Sequence, residues 1–252
     1  MLATRVIPCL LLQDMGLVKT VQFKKPVYVG DPINALKIFN EKEVDELIFL
    51  DITASKKNTE PNYALIQELA SECFMPFAYG GGINRLEQIN KILMIGVEKI
   101  IINKAAIDNI GFVREATKVF ASSTIITAID IKKDLFGRYR VYDHTRKSPA
   151  RIDLMAYVKK IEDAGAGELF INNVDRDGTF KGFDVSIIKK IVDLVSIPVI
   201  VCGGASSLED LRTVVKEGGA SAVAAGSFFV FQRPHRAVLI SYPDAKVLKD
   251  LF

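Results

Sequence analysis

Two groups of glycines stand where a short apolar run gives way to a polar segment, a position from which glycines could bind phosphate. Gly80-Gly81-Gly82 and Gly203-Gly204 are these groups, while Asn103 and the pair Gly226-Ser227 each follow the next apolar run. Glycine N–H groups can approach an anion closely, and the start of a following helix adds a favourable dipole. The sequence therefore predicts two phosphate sites, suited to a ligand with a phosphate at each end. The alternative is that the glycines only make tight turns.

Three aspartates, Asp51, Asp130 and Asp177, also fall at or just after the ends of apolar runs, and Gly178 follows the last of them. Carboxylates that converge there can act as general acid and base or bind substrate. Crowding among them would raise the pKa of one carboxyl toward neutrality. Helix capping or a loop ion pair is the alternative for each aspartate. We predict that the three carboxylates share one site.

Four charged residues, Arg5, Glu46, Lys99 and Glu168, stand instead at the beginnings of apolar runs. If these runs are the parallel strands of a closed barrel, the four side chains can face its axis and close its bottom as a ring of opposite charges. Burying such a ring is costly unless every charge is paired. Two interpretations remain open at this point: a structural plug, and a gate that admits a small polar molecule from below.

Strand-sized apolar runs alternate with segments of helical periodicity. Runs that are apolar on both faces are typical of parallel strands covered by helices. Asp31-Pro32 and Ser207 with Asp210 are typical helix starts. Eight strand–helix pairs predict an α/β fold, a closed (β/α)8 or TIM barrel, with residues 1–252 as one domain and a doubly wound open sheet as the alternative. The predicted strands are 5–12, 46–51, 75–79, 98–102, 123–130, 168–173, 198–202 and 220–225, and the predicted helices are 32–44, 60–72, 84–94, 109–120, 152–164, 183–195, 206–216 and 233–241.

The two halves of the chain resemble each other, which favours ring closure over an open sheet. Glu46 and Glu168 are 122 positions apart, and so are Pro76 and Pro198 at the start of the two glycine-ending runs. Residues 13–31 and 131–150 are predicted as long loops that follow equivalent strands, with 138–142 as one arm of a small hairpin. Both loops are expected at the C-terminal rim, where the active sites of barrels lie.

Composition excludes several classes of protein. The chain is 49% hydrophobic and 25% charged with a net charge of +3, which gives no sign of nucleic-acid binding. No apolar run is long enough for a membrane span, and no signal peptide precedes the first run, so we expect a cytoplasmic protein. Three distant cysteines are expected to be reduced, with Cys202 as a small buried side chain. His144 and His235 have no partners at metal-ligand spacing, so we expect both at the surface, and no metal or cofactor.

Taken together, these motifs resemble the HisF cyclase subunits of imidazole glycerol phosphate synthase over nearly the whole chain. The resemblance implies a half-barrel repeat, a ligand with two phosphates, and ammonia delivered by a HisH-like glutaminase docked at the barrel bottom. It also implies that the four charges form the ammonia gate and that Lys19 lies on a mobile loop over the substrate. The residues that carry it are 1–3 with Arg5, 29–32, 45–55, 80–83, 102–103, 128–130, 165–168, 175–179 and 202–205.

One departure from the family concerns its acid–base pair of aspartates, at the ends of the first and fifth strands. Asp130 matches the second of them, but Leu11 stands at the first position. Leucine cannot transfer a proton, and losing an essential acid or base commonly costs ~10²–10⁴-fold in rate. Asp14, three residues further on, would need an altered strand end to substitute. Lys104 also replaces a residue that is usually a small hydroxyl residue.

This variant resembles a HisF-like branch associated with bacterial surface-sugar biosynthesis. In that branch a HisF-like barrel and a HisH-like glutaminase deliver ammonia for an acetamidino group on a sugar, together with an amidotransferase. We therefore expect a synthase subunit of this kind, with histidine-pathway cyclisation and a non-catalytic ammonia conduit as the alternatives. The branch resemblance is carried by residues 16–20, 28–34, 41–44, 71–79, 229–232 and 234–243.

Overall fold

The computed structural model describes residues 4–252. Residues 1–3, which belong to the predicted domain and to the family resemblance, lie outside the described residues. Fourteen strands and eleven α-helices follow one another along this part of the chain, with a short 3-10 turn at Ser122–Thr124. No helix within residues 4–252 has the length and apolar character needed to cross a membrane.

The strands and helices are numbered in chain order. The strands are β1 (Arg5–Gln13), β2 (Gly16–Val21), β3 (Lys24–Gly30), β4 (Leu47–Asp51), β5 (Phe77–Gly80), β6 (Lys99–Ile102), β7 (Ile125–Lys133), β8 (Tyr139–Asp143), β9 (Ser148–Pro149), β10 (Glu168–Asn173), β11 (Val199–Cys202), β12 (Ala222–Ala225), β13 (Phe231–Gln232) and β14 (Ala237–Val238). The helices are α1 (Pro32–Glu41), α2 (Ala54–Lys57), α3 (Tyr63–Glu72), α4 (Leu86–Ile95), α5 (Lys104–Asp108), α6 (Ile110–Phe120), α7 (Leu154–Asp163), α8 (Val185–Val192), α9 (Leu208–Lys216), α10 (Ser227–Val230) and α11 (Ala245–Leu251).

Eight parallel strands close into a barrel in the order β1, β4, β5, β6, β7, β10, β11 and β12, and β12 pairs with β1. The two half-chains meet where β6 pairs with β7 and where β12 pairs with β1. Within the second half, β7 pairs with β10 and places Asp130 opposite Asn172. Helices occur between successive barrel strands, as the alternating sequence pattern predicts. The predicted (β/α)8 barrel is therefore confirmed, and the open sheet is wrong.

Helix starts follow the sequence signals. The Asp31 side chain accepts a hydrogen bond from the Asn34 N–H at 2.9 Å, and Pro32 occupies the first helical position of α1. Ser207 and Asp210 form the predicted capping box at α9. Such caps satisfy N–H groups that the helix itself leaves without partners.

The two predicted long loops are instead mainly β-hairpins, so the prediction of irregular structure there is wrong in part. β2 and β3 pair antiparallel and extend from β1, where Leu11 pairs with Val18. After the fifth barrel strand, β8 pairs with the extended end of β7, which confirms the predicted hairpin arm. Strand pairing supplies partners for backbone groups that a long irregular loop would leave to water.

The predicted helix 233–241 is wrong. Within that stretch, β14 pairs antiparallel with β13, which precedes the stretch, and Val238 lies opposite Phe231. The neighbouring helices are α10 before the stretch and α11 after it. Pro234 lacks an N–H group, and the apolar residues that suggested a helical face are used for strand pairing instead. Two short helices, α2 and α5, were also not predicted. Both begin just after barrel strands and therefore belong to the upper rim.

Candidate functional site

Alternation along the barrel strands determines which side chains reach the interior. Ile7, Ile48, Ile101 and Phe170 belong to one apolar cluster inside the barrel, separate from the cluster that packs against the helices. Because strand side chains alternate with a period of two, the residues two positions before and after these also face inward. Those before them are Arg5, Glu46, Lys99 and Glu168, and those after them include Cys9, Leu50, Asn103 and Asn172.

At the bottom, the four charged side chains form one connected ring. The Arg5 guanidinium donates to Glu46 at 2.6 Å and also to Glu168, while the Lys99 ammonium lies 3.3 Å from Glu46 and 2.7 Å from Glu168. Two strands, β11 and β12, separate β1 from β10 around the barrel. The Arg5–Glu168 contact therefore crosses the interior, and the ring closes the lower end of the barrel.

Electrostatics within this ring oppose the cost of burial. Burial alone would lower the pKa of the Arg5 guanidinium, but Glu168 and Glu46 raise it above its usual value. Burial alone would likewise raise the pKa of Glu168, yet its hydrogen bonds and charge attraction to Arg5 and Lys99 lower it. Arg5 and Glu168 are therefore each stabilised in the charged form by their partners in the ring.

At the top, a cavity of about 290 Å³ opens between the first-half strand ends and the two hairpins. Its wall combines apolar side chains with a smaller number of polar and charged groups, as small-molecule sites usually do. The lining includes Leu11, Thr20, Leu50, Asp51, Ile52, Ser55, Lys56, Gly80, Gly81, Gly82, Ile83, Asn103, Lys104, Ala128, Asp130, His144, Phe170 and Asn172.

The first glycine group lies against the strand end that carries Asp51. Gly81 has a φ of +128°, and a Cβ placed there would lie 2.5 Å from the Asp51 carbonyl oxygen, so only glycine fits. The Asp51 side chain accepts hydrogen bonds from Thr53 N–H at 2.8 Å and Ala54 N–H at 3.0 Å. Asp51 therefore caps the chain as it enters α2, although it also lines the cavity.

Asp130 lies at the end of the interior row of β7 and is 5% exposed. Its Oδ2 accepts a hydrogen bond from the Asn103 side chain at 2.9 Å and lies 3.4 Å from His144 Nδ1. The predicted surface position of His144 is wrong, because its side chain is only 17% exposed and lines the cavity. The hairpin after β7 brings His144 there, and the sequence pattern predicted only one arm of that hairpin. His235 is exposed, as predicted.

The second glycine group faces a much smaller cleft of about 20 Å³, formed with the segment after β10 and the start of α10. The buried Lys19 ammonium donates to the Cys9 carbonyl oxygen at 2.5 Å, and burial lowers the pKa of this lysine. A Cβ at Gly226 would collide with the same ammonium group. The cleft is lined by Asp177, Gly178, Phe180, Cys202, Gly203, Gly204, Ala205, Ala225, Gly226, Ser227 and Phe228.

The β2–β3 hairpin is docked over this second cleft. Thr20 Oγ1 donates to Asp177 Oδ2 at 2.8 Å, the Phe23 N–H donates to the same oxygen at 3.3 Å, and the Gln22 N–H donates to the Asp177 carbonyl at 3.0 Å. Removal of the Asp177 carboxyl from water raises its pKa despite these bonds. Asp177 lines the second cleft while Asp51 and Asp130 line the large cavity. The Asp130 charge nevertheless contributes to the raised pKa of Asp177, and the sharing of one site by the three carboxylates stays a prediction.

Leu11 is among the residues that line the large cavity. Asp14 is not a replacement for an acid at this position. Its side chain is 64% exposed and its carboxylate lies 2.8 Å from the Lys57 ammonium, outside the lining of either cleft. The first barrel strand therefore contributes an apolar surface to the cavity rather than a proton-transfer group.

Sequence reasoning did not assign a role to two lysines that line the cavity, and it did not predict that the free thiols of Cys9 and Cys202 interact. Lys56 on α2 and Lys104 on α5 bring positive charge to the rim, and they follow the strand ends of Asp51 and Asn103 by a few residues, a signal that could have revealed them. The neighbouring Cys9 thiol, together with burial, raises the pKa of Cys202 well above its usual value. Both thiols are buried, as predicted for Cys202.

Nothing in residues 4–252 groups three or more histidine, cysteine, aspartate or glutamate side chains in a way that could hold a metal ion. The polar groups of the cavity are instead suited to hydrogen bonding and proton transfer. Three of them, Asn103 Oδ1, Asn172 Oδ1 and His144 Nδ1, are buried without a hydrogen-bond partner within the described residues. Unpaired buried polar atoms are costly, and a bound ligand would supply partners for the two amide oxygens. His144 Nδ1 has the Asp130 carboxylate 3.4 Å away.

Comparison with known proteins places this barrel in a family. Residues 5–234 match the family described as histidine biosynthesis protein. The chain is 52% identical over 248 residues to a Pseudomonas aeruginosa protein provisionally named imidazole glycerol phosphate synthase subunit hisF2, covering 98% of this chain and 99% of that one. It is 49% identical to a Leptospira borgpetersenii protein provisionally named subunit HisF, with both covered completely, and 44% identical to a Vibrio vulnificus protein provisionally named subunit hisF3, covering 97% and 94%. The chain therefore belongs to the histidine biosynthesis family, as a relative of the HisF subunits of imidazole glycerol phosphate synthase.

Proposed function

We propose that this chain is the synthase subunit of an ammonia-using pair. A HisH-like glutaminase docks at the lower face of the barrel, ammonia passes up through the interior, and it reacts in the upper cavity with a phosphorylated small molecule. The enzyme is related by descent to the cyclase subunits, which are lyases. It works in the cytoplasm, and residues 1–252 form one barrel domain. Its product serves the amidination of a bacterial surface sugar, together with a sugar amidotransferase.

The observation that carries the proposal is the charge ring at the end opposite the cavity. Arg5, Glu46, Lys99 and Glu168 meet across the interior, with the apolar interior cluster between them and the upper cavity. A neutral molecule such as ammonia avoids the desolvation cost that a charged ion would incur on this path. A ring held by ion pairs alone can open when one pair exchanges partners. These properties support a gate more strongly than a permanent plug.

The upper rim supports a phosphorylated ligand. Gly81, Gly82 and Asn103 border the large cavity, and Lys56 and Lys104 add positive charge there. The second cleft, with Gly178, Gly203, Gly204, Gly226 and Ser227, offers a second phosphate position once Lys19 and its hairpin move. We propose that Lys19 then contacts the ligand and that Asp51 and Asp177 order the loops around it.

Two features favour the sugar branch over ordinary cyclisation of the histidine pathway. Leu11 presents an alkyl group to the cavity, and Asp14 points to solvent, so the first-strand acid has no substitute on its own strand. In addition, two relatives carry the numbered names hisF2 and hisF3, as expected of additional HisF-like copies. A purely passive conduit would not require the polar cavity around Asp130, which favours catalysis over that alternative.

Complementation in two bacterial strains tests the proposal. One strain lacks its histidine-pathway cyclase, and the other lacks the HisF-like subunit required for an amidino group on its surface polysaccharide. We expect the chain to leave the first strain unable to grow without histidine, and to restore the amidino sugar, measured by mass spectrometry, in the second. Growth of the first strain without histidine would contradict the sugar assignment.

The gate is tested in the same second strain with Lys99→Ala, using the exposed Lys118→Ala as the matched control. Lys99→Ala should reduce the amidino sugar, and excess ammonium in the medium should restore it, because diffusing ammonia bypasses the glutaminase. Lys118→Ala should behave like the wild type. Full product from Lys99→Ala without added ammonium would argue for a structural plug.

A further inference from the structure

His144 is held in the cavity by the turn that follows β8. The Asp143 carboxylate accepts hydrogen bonds from the Thr145 N–H at 2.9 Å, from Thr145 Oγ1 at 2.6 Å and from the Arg146 N–H at 3.1 Å. The Asp143 side chain is 2% exposed, and the Lys104 ammonium lies 3.8 Å from its other oxygen. A turn fixed in this way leaves His144 little freedom to leave the cavity wall.

The imidazole of His144 is arranged as a base oriented by a carboxylate. Its Nδ1 lies 3.4 Å from Asp130 Oδ2, and the same oxygen is fixed by the Asn103 side chain at 2.9 Å. A carboxylate beside one ring nitrogen favours the tautomer with the proton on that nitrogen, which leaves the other nitrogen free to accept a proton. Nδ1 is buried, and its charged neighbour is the Asp130 carboxylate at 3.4 Å, although neither ring nitrogen makes a hydrogen bond within residues 4–252. The side chain borders the cavity, which is where a substrate would meet Nε2.

We propose that His144 is a catalytic general base of the upper cavity and that Asp130 is the residue that orients it. The proposal rests on the proposed function only for the identity of the nucleophile, ammonia. The carboxylate that Leu11 cannot provide is replaced by an imidazole from the hairpin after β7, on the opposite half of the barrel. Such a replacement keeps a proton-transfer pair at the cavity while changing the chemical type of one member.

The proton transfers balance without any added reagent. The ammonia lone pair forms a bond to an electrophilic carbon that carries a double-bonded oxygen, and the π electrons move to that oxygen. His144 Nε2 takes a proton from the new ammonium nitrogen, and the resulting imidazolium, stabilised by Asp130, returns it to the oxygen. The step adds ammonia across the carbon–oxygen double bond with no net oxidation. A later loss of water can use the same acid.

Three histidine variants test this role. His144→Gln places an amide near the position of Nε2, His144→Asn keeps a donor close to Asp130, and His235→Gln changes the other histidine of the chain, which is exposed. In the strain that reports the amidino sugar, we expect both His144 variants to lose about 10²-fold or more of the product, because an amide cannot accept the proton. His235→Gln should retain wild-type product. Excess ammonium should not rescue the His144 variants, unlike Lys99→Ala.

A merely structural role predicts the opposite pattern. If His144 served only as a hydrogen-bond donor to Asp130, His144→Asn would restore the product, and that result would overturn the proposal. Circular dichroism and thermal unfolding of each purified variant show whether it folds. If His144→Asn does not fold, the product made by His144→Gln decides between the two roles.

NMR of the imidazole rings tests the role of His144 independently of the sugar assay. If the wild-type chain makes no amidino sugar, the proposed function is wrong, but the NMR result still decides whether Asp130 orients His144. With only two histidines, ¹⁵N-labelled protein gives an assignable spectrum. We expect the neutral His144 ring to carry its proton on Nδ1, and Asp130→Asn to change this tautomer while leaving His235 unaltered. A wild-type His144 protonated on Nε2, or one insensitive to Asp130→Asn, would overturn the assignment of the base and its orienting residue.

Discussion

The two ends of the barrel interior use polar residues in opposite ways. At the bottom, four charged side chains pair with one another, and each makes at least two contacts within the ring. At the top, the cavity wall leaves Asn103 Oδ1, Asn172 Oδ1 and His144 Nδ1 buried without partners among the described residues. The four charges and the two asparagines follow from the same alternation along the strands, whereas His144 is brought to the cavity by the hairpin after β7.

The difference indicates that the bottom of the barrel mainly stabilises the fold, whereas the top mainly binds a ligand. Groups that satisfy one another stabilise the folded chain, whereas groups that lack partners are available to a ligand at some cost in stability. Substitutions at the bottom should therefore act first on the free energy of unfolding, and substitutions at the cavity should act first on product formation.

The largest effect is expected from Asp130→Asn. It removes the carboxylate that orients His144, so product formation should fall by about 10²–10⁴-fold. The free energy of unfolding should stay within about 1 kcal/mol of the wild type, because the amide oxygen can still accept from Asn103. Mass spectrometry of the sugar and urea denaturation measure the two quantities. A variant that loses stability and keeps its product would reverse the comparison between the two ends.

The bottom of the barrel is examined with Glu168→Gln, compared with the exposed Glu87→Gln. Removal of one carboxylate leaves Arg5 and Lys99 competing for Glu46, and the free energy of unfolding at neutral pH should fall by about 3 kcal/mol. Folding lowers the pKa of Glu168 from its usual 4.5, so its contribution is complete above that pH and is lost as pH falls through the folded value.

The difference in unfolding free energy between the wild type and Glu168→Gln should therefore shrink as the pH falls below 4.5. Urea denaturation at a series of pH values above and below 4.5 measures the change. A difference that stays constant as the pH falls would show that Glu168 contributes through packing rather than through charge.

An effect on stability of similar size is expected from Gly81→Ala, with Gly137→Ala as the matched control. Both glycines have positive φ, at +128° and +76°, but only Gly81 would bring a Cβ against backbone, whereas Gly137 has nothing within 4 Å. Conformational strain alone should cost about 1 kcal/mol in the control, and the collision should add about 2 kcal/mol more at Gly81. Thermal unfolding of both variants gives the comparison, and equal losses would exclude close packing at Gly81.

The smallest effect is expected from Thr20→Val, which removes the hydrogen bond to Asp177 while keeping the shape of the side chain. The loss should be about 1 kcal/mol or slightly more, because the Asp177 oxygen retains its bond from Phe23. Hydrogen exchange should quicken in residues 16–30, where the hairpin covers the second cleft. The exposed Thr59→Val is the control, and unchanged exchange would show that other contacts hold the hairpin in place.

The barrel could be predicted from sequence because its signals are local and repeated. Each barrel strand is an apolar run, and the spacing of 122 positions between Glu46 and Glu168 recurs between other matching residues of the two halves. The positions of the four bottom charges and of Asp130 then follow from the two-residue period of a strand. These residues lie in regular elements, so their direction is determined by their place in the chain.

The hairpins and their contacts could not be predicted in the same way. His144 lies near Asp130 because β8 pairs with the extended end of β7, and Asp177 is covered because the β2–β3 hairpin binds it. Both arrangements depend on contacts between segments that are distant in sequence or irregular. The prediction of a helix at 233–241 was wrong for a related reason, because strand pairing in the folded chain prevailed over a weak helical pattern.

The charge ring also constrains how the duplicated chain can assemble. Arg5 and Glu168 bond across 163 positions, and the first half contributes Arg5, Glu46 and Lys99, while the second contributes Glu168 alone. Separately made halves would leave a surplus cation on one fragment and a solitary anion on the other. Long-range contacts of this kind form late, because loop closure must precede them. Electroneutrality at the base is thus reached only when both half-barrels are joined, which makes it a signature of completed folding.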